Sequence, residues 1–448
     1  MVRFFIYSYN LRHCRCGVFL LILQNGKTLN LDWFMKKFIL FVIALCAFEI
    51  YPFAQKLPSR DDVLEVMELA NGYFMKKYPD PSKDTFVKKR RTSNLWTRGV
   101  YFEGLAALAE VEAYDRRHDE KRMRNVDYIM RWGSAHRWSP RGGVRTKNAD
   151  NYCCCQTYLD MYMLGLEDKR DSAIIRPTVE CMDNLLKSPS DCDWTWVDAV
   201  QMGLPVFAKT ARLSYFSGDV DAERYLDKGW RMYRCTRDSV AGGLYNESEH
   251  LWWRDKDFVP PYKESNGRNC YWSRGNGWAY AALVRTMDAM LLGRGSDGYP
   301  YVENLGETEW KLLFENAHYD DYMTDFVDMS EALLECRRKD GFWNVSLHDE
   351  SNFGGKELTG TALFVYGMAW GIRHGVLERE KYLPVVIESW NAMVNDCVHD
   401  NGFLGYVQGT GKEPKDGQPL GYDVEPDFDD FGLGCFLLAG SEIYRLSR

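Results

Sequence analysis

Six stretches of this chain are apolar on nearly every helical face, and they alternate with six that carry charge on one face only. Apolar residues at i, i+3, i+4 and i+7 predict helices near 61–78, 96–115, 118–132, 152–165, 170–187 and 196–216. Six more follow near 219–236, 274–292, 318–338, 358–374, 379–399 and 428–446. Those at 96, 152, 196, 274, 358 and 428 are rich in Gly, Ala and aromatic residues; Gly360-Thr361-Ala362-Leu363-Phe364-Val365-Tyr366-Gly367-Met368-Ala369-Trp370 is one such run. Those at 61, 118, 170, 219, 318 and 379 gather Lys, Arg, Glu and Asp on one side. A helix apolar all round is buried, and a one-sided helix lies at the surface. Six buried helices alternating with six surface helices is the requirement of an all-α (α/α)6 toroid.

The connections sharpen this expectation. Short polar links such as Ser217-Gly218-Asp219 join antiparallel neighbours. The long ones, 133–151, 237–273, 340–357 and 400–427, all lead from a surface helix into a buried one, so they gather at the rim where the buried helices begin. Within them, Gly242-Gly243-Leu244-Tyr245 and Leu251-Trp252-Trp253-Arg254 read as short strands. Long loops in a compact domain are usually functional, which places the site at that mouth.

Composition excludes some functions. The formal charge of −8 argues against a nucleic-acid partner. Aromatic residues make up 15% of the chain, with 15 Trp and 27 Tyr, a content suited to a cleft that stacks sugar rings. The 13 cysteines do not read as a small-domain disulfide framework. Cys153, Cys154 and Cys155 are consecutive, so on a helix they diverge by about 100° and cannot share one metal; they read as small buried side chains. Met35-Lys36-Lys37, the apolar run Phe38–Phe48 and then Ala54-Gln55 have the form of an export signal. Residues 1–54 are therefore expected to be an upstream extension plus signal, and 55–448 a single domain, exported to the periplasm and free of the membrane once mature.

Trp194-Thr195-Trp196-Val197-Asp198-Ala199-Val200-Gln201-Met202 sets one acid among apolar neighbours at a buried-helix start. Burial raises a carboxyl pKa and a helix N-terminus lowers it, a balance that suits a general acid, although an N-capping Asp fits equally well. Asp150 opens the preceding buried helix and offers a second acid at the same rim, or again a cap. In Tyr271-Trp272-Ser273-Arg274-Gly275-Asn276-Gly277-Trp278, Ser273 is a candidate cap, Arg274 a planar fork for a carboxylate and Trp278 a stacking face. The alternative for Arg274 is a buried pair with an Asp between helices. Gly432-Leu433-Gly434 is an incomplete dinucleotide fingerprint, and no nucleophile elbow, His-Glu-x-x-His or phosphate loop occurs.

Trp272-Ser273-Arg274-Gly275-Asn276-Gly277-Trp278 resembles the signature of glycoside hydrolase family 105, the unsaturated rhamnogalacturonyl hydrolases, and of the related family 88. Trp196–Met202, Glu357-Leu358-Thr359-Gly360-Thr361-Ala362 and Phe431–Glu442 resemble other segments of those families, so the likeness runs from about Trp96 to the C-terminus. The resemblance implies an (α/α)6 barrel that removes a 4,5-unsaturated uronic acid from the non-reducing end of lyase-generated oligosaccharides of the pectin or rhamnogalacturonan type. It implies hydration of the vinyl ether, with no metal, no cofactor and no glycosyl-enzyme intermediate. Asp198 is then the acid/base, Asp150 the second carboxyl, and Arg274 and Trp278 hold the sugar with Trp96 and Tyr245 as neighbours. The competing readings are an inverting glycosidase using Asp150 and Asp198 on saturated glycosides, and a non-catalytic oligosaccharide-binding protein.

Overall fold

The computed structural model describes residues 56–86, 89–164, 171–292, 311–314 and 318–447. The export-signal expectation on Met35–Ala54 lies outside the described residues, and Lys56–Arg448 forms one compact unit.

Among the described residues, thirteen α-helical segments fill twelve positions in six outer–inner pairs. Outer α1 (Arg60–Lys77) precedes inner α2 (Trp96–Glu112), and outer α3 (Asp119–Ala135) precedes an inner helix in two pieces, α4 (Ala149–Tyr152) and α5 (Cys155–Met163). The third and fourth pairs are α6 (Arg176–Leu186) with α7 (Asp198–Phe216), and α8 (Glu223–Asp238) with α9 (Ser273–Met290). The last are α10 (His318–Glu335) with α11 (Leu358–Arg373), and α12 (Arg379–Cys397) with α13 (Asp430–Leu446).

The sequence pattern explains which helix goes where. In α1, Ser59 and Asp62 form a reciprocal capping box, and Val63, Leu64, Met67, Ala70 and Phe74 make one buried stripe. In α11 every residue from Leu358 to Ile372 is buried. Each inner helix packs on the next, and α13 returns to α2, closing the ring. That last contact depends on glycine: a Cβ on Gly104 would lie 2.5 Å from the Gly434 carbonyl oxygen, and one on Gly434 2.3 Å from that of Val100. The two backbones touch where no side chain fits.

The rim segments form the expected mouth. A short hairpin, β3 (Tyr245–Asn246) against β4 (Leu251–Trp252), lies in the connection before α9; among the described residues these are the third and fourth of six two-residue strands, after Thr85–Phe86 and Arg90–Arg91 and before Leu291–Leu292 and Lys311–Leu312. Isolated bridges tie Trp196 to Asp255 and Trp272 to Ser346, stitching successive rim segments together. Asn276, one turn into α9, accepts from the Trp252 amide (2.8 Å) and donates to the Trp252 carbonyl (3.0 Å), anchoring β4 to the barrel. Asn276 does for the hairpin edge what a further strand would do.

Candidate active site

A cleft of about 330 Å³ opens at the N-terminal ends of the inner helices. That volume lies within the ~300–1,000 Å³ common for small-ligand sites. Trp96 begins α2, Trp196 lies two residues before α7, Trp272 immediately precedes α9, and Trp278 sits in the second turn of α9; all four line the cleft. The rings of Trp96 and Trp278 meet edge to face, with centroids 6.2 Å apart. Rings in this arrangement offer flat apolar walls to a sugar.

Asp198 is the first residue of α7 and does not cap it: Val197 holds the cap position, with no side-chain cap bond. The chain enters through the Trp196–Asp255 bridge and a 2.9 Å bond from the Val197 amide to the Arg254 carbonyl. This register sets the Arg254 guanidinium against the acid, Nε to Oδ2 at 3.1 Å. The other oxygen, Oδ1, is buried and has no hydrogen-bond partner among the described residues. Burial pushes the Asp198 carboxyl above its ordinary range, while Arg254 and Arg274 pull it back. A buried acid that lines a cleft and keeps one oxygen unpaired is placed to exchange a proton.

Asp150 lies in the first turn of α4, where Asn148 supplies the cap by accepting from the Asp150 amide at 2.9 Å. The expected single helix over 152–165 instead starts at Ala149 and breaks after Tyr152, which brings Asp150 inside the first turn. Burial first, and then the charge of Asp198, push Asp150 up to about 6; Arg254, Arg91 and Arg141 oppose them. The two carboxyls therefore share one electrostatic environment, the condition in which one holds a proton while the other ionises. Cys153 and Cys154 form the break, and all three cysteines of the triplet are fully buried. Cys153 donates to Glu103 Oε1 at 3.3 Å, and its sulfur lies where a Cβ on Gly99 would be 3.2 Å away, so a small side chain is required there.

Four of the six expected site residues, Asp150, Asp198, Trp96 and Trp278, line this cleft. Two do not. Arg274 is fully buried behind the cleft wall, its Nη1 and Nη2 donating to the carbonyls of Gln408 (2.6 Å) and Gly409 (2.7 Å). It stacks on Trp272 and Phe431 at 4.6 and 4.9 Å. It pairs with no Asp among the described residues, and its two Nη groups hold the rim loop through two carbonyls. Tyr245 faces away, its ring under Arg237 (4.3 Å) and its hydroxyl 3.4 Å from His250. Ser273 does not cap α9 either, since Trp272 holds that position without a side-chain bond.

The cationic partner of the acid is Arg254, which sequence reasoning passed over as part of a strand. Its signal was a charged residue straight after Leu251-Trp252-Trp253 on the rim. Thr410, Gly411, Lys412 and Asp416 add a further wall, from a loop closed where the Gly409 amide donates to the Gly417 carbonyl at 3.1 Å. Lys89, Arg91, Arg254 and Lys412 line the cleft together with Asp150, Asp198 and Asp416, so cations outnumber carboxylates there in a protein that is acidic as a whole. Such a lining favours an anionic sugar.

Residues 66–447 match the model of Glycosyl Hydrolase Family 88. The chain belongs to that family. It is a glycoside hydrolase. The sequence resemblance put family 105 first with family 88 as its relative, and structures associated with both are similar to this one. An unsaturated 3S-rhamnoglycuronyl hydrolase of Formosa agariphila is 29% identical over 372 residues, covering 79% of this chain and 85% of that protein. The solved structure of a glycosyl hydrolase family 88 protein from Bacteroides vulgatus is 25% identical with a TM-score of 0.70, covering 87% of this chain and 100% of that one. A possible member of family 105 from Salmonella enterica shares the fold at 16% identity and a TM-score of 0.60, over 87% and 95% of the two chains. The family 88 fold is thus the toroid that the alternation of buried and one-sided helices called for.

Proposed function

We propose that this family 88 enzyme removes a 4,5-unsaturated uronic acid from the non-reducing end of an oligosaccharide, and that Asp198 is its general acid/base. The observation that carries this reading is the pairing of Asp198 with Asp150 at the starts of consecutive inner helices, both raised by burial, in one tryptophan-walled and cation-rich cleft. Protonated Asp198 delivers its proton to C4 of the vinyl ether. Positive charge then develops at C5, and a water whose proton passes to the Asp198 carboxylate adds there. The resulting hemiketal opens and releases the aglycone sugar. The acid is regenerated within each turnover, so no external proton is consumed. Asp150 stands beside this path and holds the local charge near neutrality. Trp96 and Trp278 fix the ring plane.

The relative from Formosa agariphila carries rhamnoglycuronyl in its name, which supports a rhamnose-containing aglycone over a purely galacturonate chain. The enzyme acts outside the cytoplasm, in the periplasm. The disulfide Cys192–Cys235, Cα atoms 5.4 Å apart, supports this because such bonds persist in oxidising compartments, and the Met35–Ala54 pattern supports it independently.

The test is a panel of saturated and unsaturated uronyl disaccharides, followed by loss of the ultraviolet absorbance of the unsaturated ring. Turnover of the unsaturated members alone is expected, with deuterium at C4 of the product formed in deuterated water. Cleavage of saturated glycosides would assign an inverting mechanism to the same two acids, and binding without turnover would leave a carbohydrate-binding protein.

A further inference from the structure

With Arg274 withdrawn behind the wall, the cleft needs another group for the carboxylate of a uronic acid. The four cations that line it are not equivalent. Arg254 is occupied by Asp198 and Asp255. Lys412 pairs with Asp257 at 3.0 Å. Lys89 is exposed, and an ammonium in water is strongly hydrated and gains little from exchanging that water for a carboxylate.

Arg91 differs from all three. It is half-buried, packed over the ring of Phe428 at 4.2 Å and near that of Trp96 at 5.7 Å. Its Nη2 has only the Thr410 hydroxyl, at 3.3 Å. Its Nη1 is buried and donates to nothing among the described residues, and no carboxylate there lies within ion-pair distance of it. A buried guanidinium N–H without an acceptor is costly to leave unmade, and Arg91 is one of the side chains that line the cleft.

We propose that Arg91 is the anchor for the uronate carboxylate, its planar fork taking the two carboxylate oxygens while Trp96 beside it takes the sugar face. This assignment rests on the uronyl-hydrolase reading above and adds the residue that recognises the charge. The ring is then held at one edge by Arg91 and presented to Asp198 across the cleft, with Thr410 setting the angle of the fork. Arginine suits the place because its planar fork matches a carboxylate in a way a lysine ammonium does not.

The experiment compares kcat/KM for an unsaturated uronyl disaccharide with that for its methyl ester, in wild type, Arg91→Met and Arg91→Lys. The ester removes the charge and keeps the double bond. Its intrinsic effect on vinyl-ether reactivity is the same in every variant and cancels from the comparison. Both substrates are measured on one preparation, so incomplete folding of a variant cancels as well. The acid-over-ester preference is expected to fall about 10- to 100-fold in Arg91→Met, as suits a lost hydrogen bond between charged groups, mostly through the KM of the acid. Arg91→Lys is expected to keep part of it. An active wild type whose preference survives unchanged in Arg91→Met, or one that never prefers the acid, would overturn the Arg91 assignment alone. A wild type inactive on the unsaturated acid would overturn the function and this anchor together.

Discussion

Buried carboxylates occupy both ends of the barrel lumen, and the two ends treat them differently. At the C-terminal ends of the inner helices a cavity of about 80 Å³ is lined by charged residues that include Glu103, Glu110, Glu442, Arg285, Arg373 and Arg445. Glu442 there accepts from Arg373 at 2.9 and 3.2 Å and from Arg445 at 2.8 Å, and the two guanidiniums hold it down to about 2. Glu110 has Arg445 alone, and burial carries it up to about 7. Glu103 accepts from Gln201 and Cys153, with Arg285 no nearer than 3.6 Å, and it too is raised. At the cleft, Asp198 accepts from Arg254 alone among the described residues, feels Arg274 at longer range, and is raised. Burial pushes every one of these acids upward, and of the four only Glu442, hydrogen-bonded by two guanidiniums, ends below its ordinary range. A raised carboxyl is therefore no marker of catalysis by itself. What separates Asp198 from Glu110 is the company it keeps: a cleft walled by four tryptophans, with Asp150 as a second raised carboxyl.

The largest effect that tests this contrast is on turnover. Asp198→Asn keeps the shape of the side chain and cannot donate a carboxylic proton, so kcat should drop by roughly 10²–10⁴-fold with helical circular dichroism unchanged. Near-normal kcat would move the acid to Asp150. At the far end, Glu442→Gln takes the shared carboxylate from Arg373 and Arg445 and should cost about 3–5 kcal/mol in denaturant unfolding. The kinetics of the folded fraction should stay at wild-type values; a kinetic defect would mean the two ends are coupled.

Arg274→Lys sits between these cases. An ammonium cannot serve both the Gln408 and Gly409 carbonyls in the geometry of the guanidinium, so about 1.5–3 kcal/mol of stability should be lost, and KM should rise as the Thr410–Asp416 wall loosens. A rise in KM with full stability would return Arg274 to direct substrate binding. The smallest effect is in the pH dependence. Asp150 keeps its proton to about 6 in the folded state against 3.8 ordinarily, so the folded state binds the extra proton between those values, and stability present below 3.8 is lost as pH rises through 6. Asp150→Asn should therefore raise Tm at pH 7 by a few degrees and not at pH 3.5. Glu442 has the opposite sign: its contribution is present above 4.5 and is lost as pH falls toward 2. A Tm difference for Asp150→Asn that ignored pH would mean the carboxyl is not raised.

Much of this was present in the chain itself. Helical period decides which face of a helix meets the core, so alternation of all-apolar and one-sided segments determined the two rings, and unequal connection lengths determined the working mouth. Asp150, Asp198, Trp96 and Trp278 follow from the same logic, because each lies at or near the N-terminal end of an inner helix, where the backbone itself delivers the residue to the rim. Arginines were another matter. A guanidinium sits several rotatable bonds from its Cα, and its destination depends on what the neighbouring chain offers. Arg274 is drawn to carbonyls 134 and 135 residues away, Arg254 is delivered to Asp198 by a backbone bridge 56 residues from it, and Arg91 waits at the edge with one nitrogen unpaired. Tyr245 was lost to the site for a related reason: in a two-residue strand the hairpin register, not the residue type, sets which way a side chain points, and here it points to Arg237. Local pattern determined where the backbone goes, and only contacts between distant segments decided which long side chains reach the cleft.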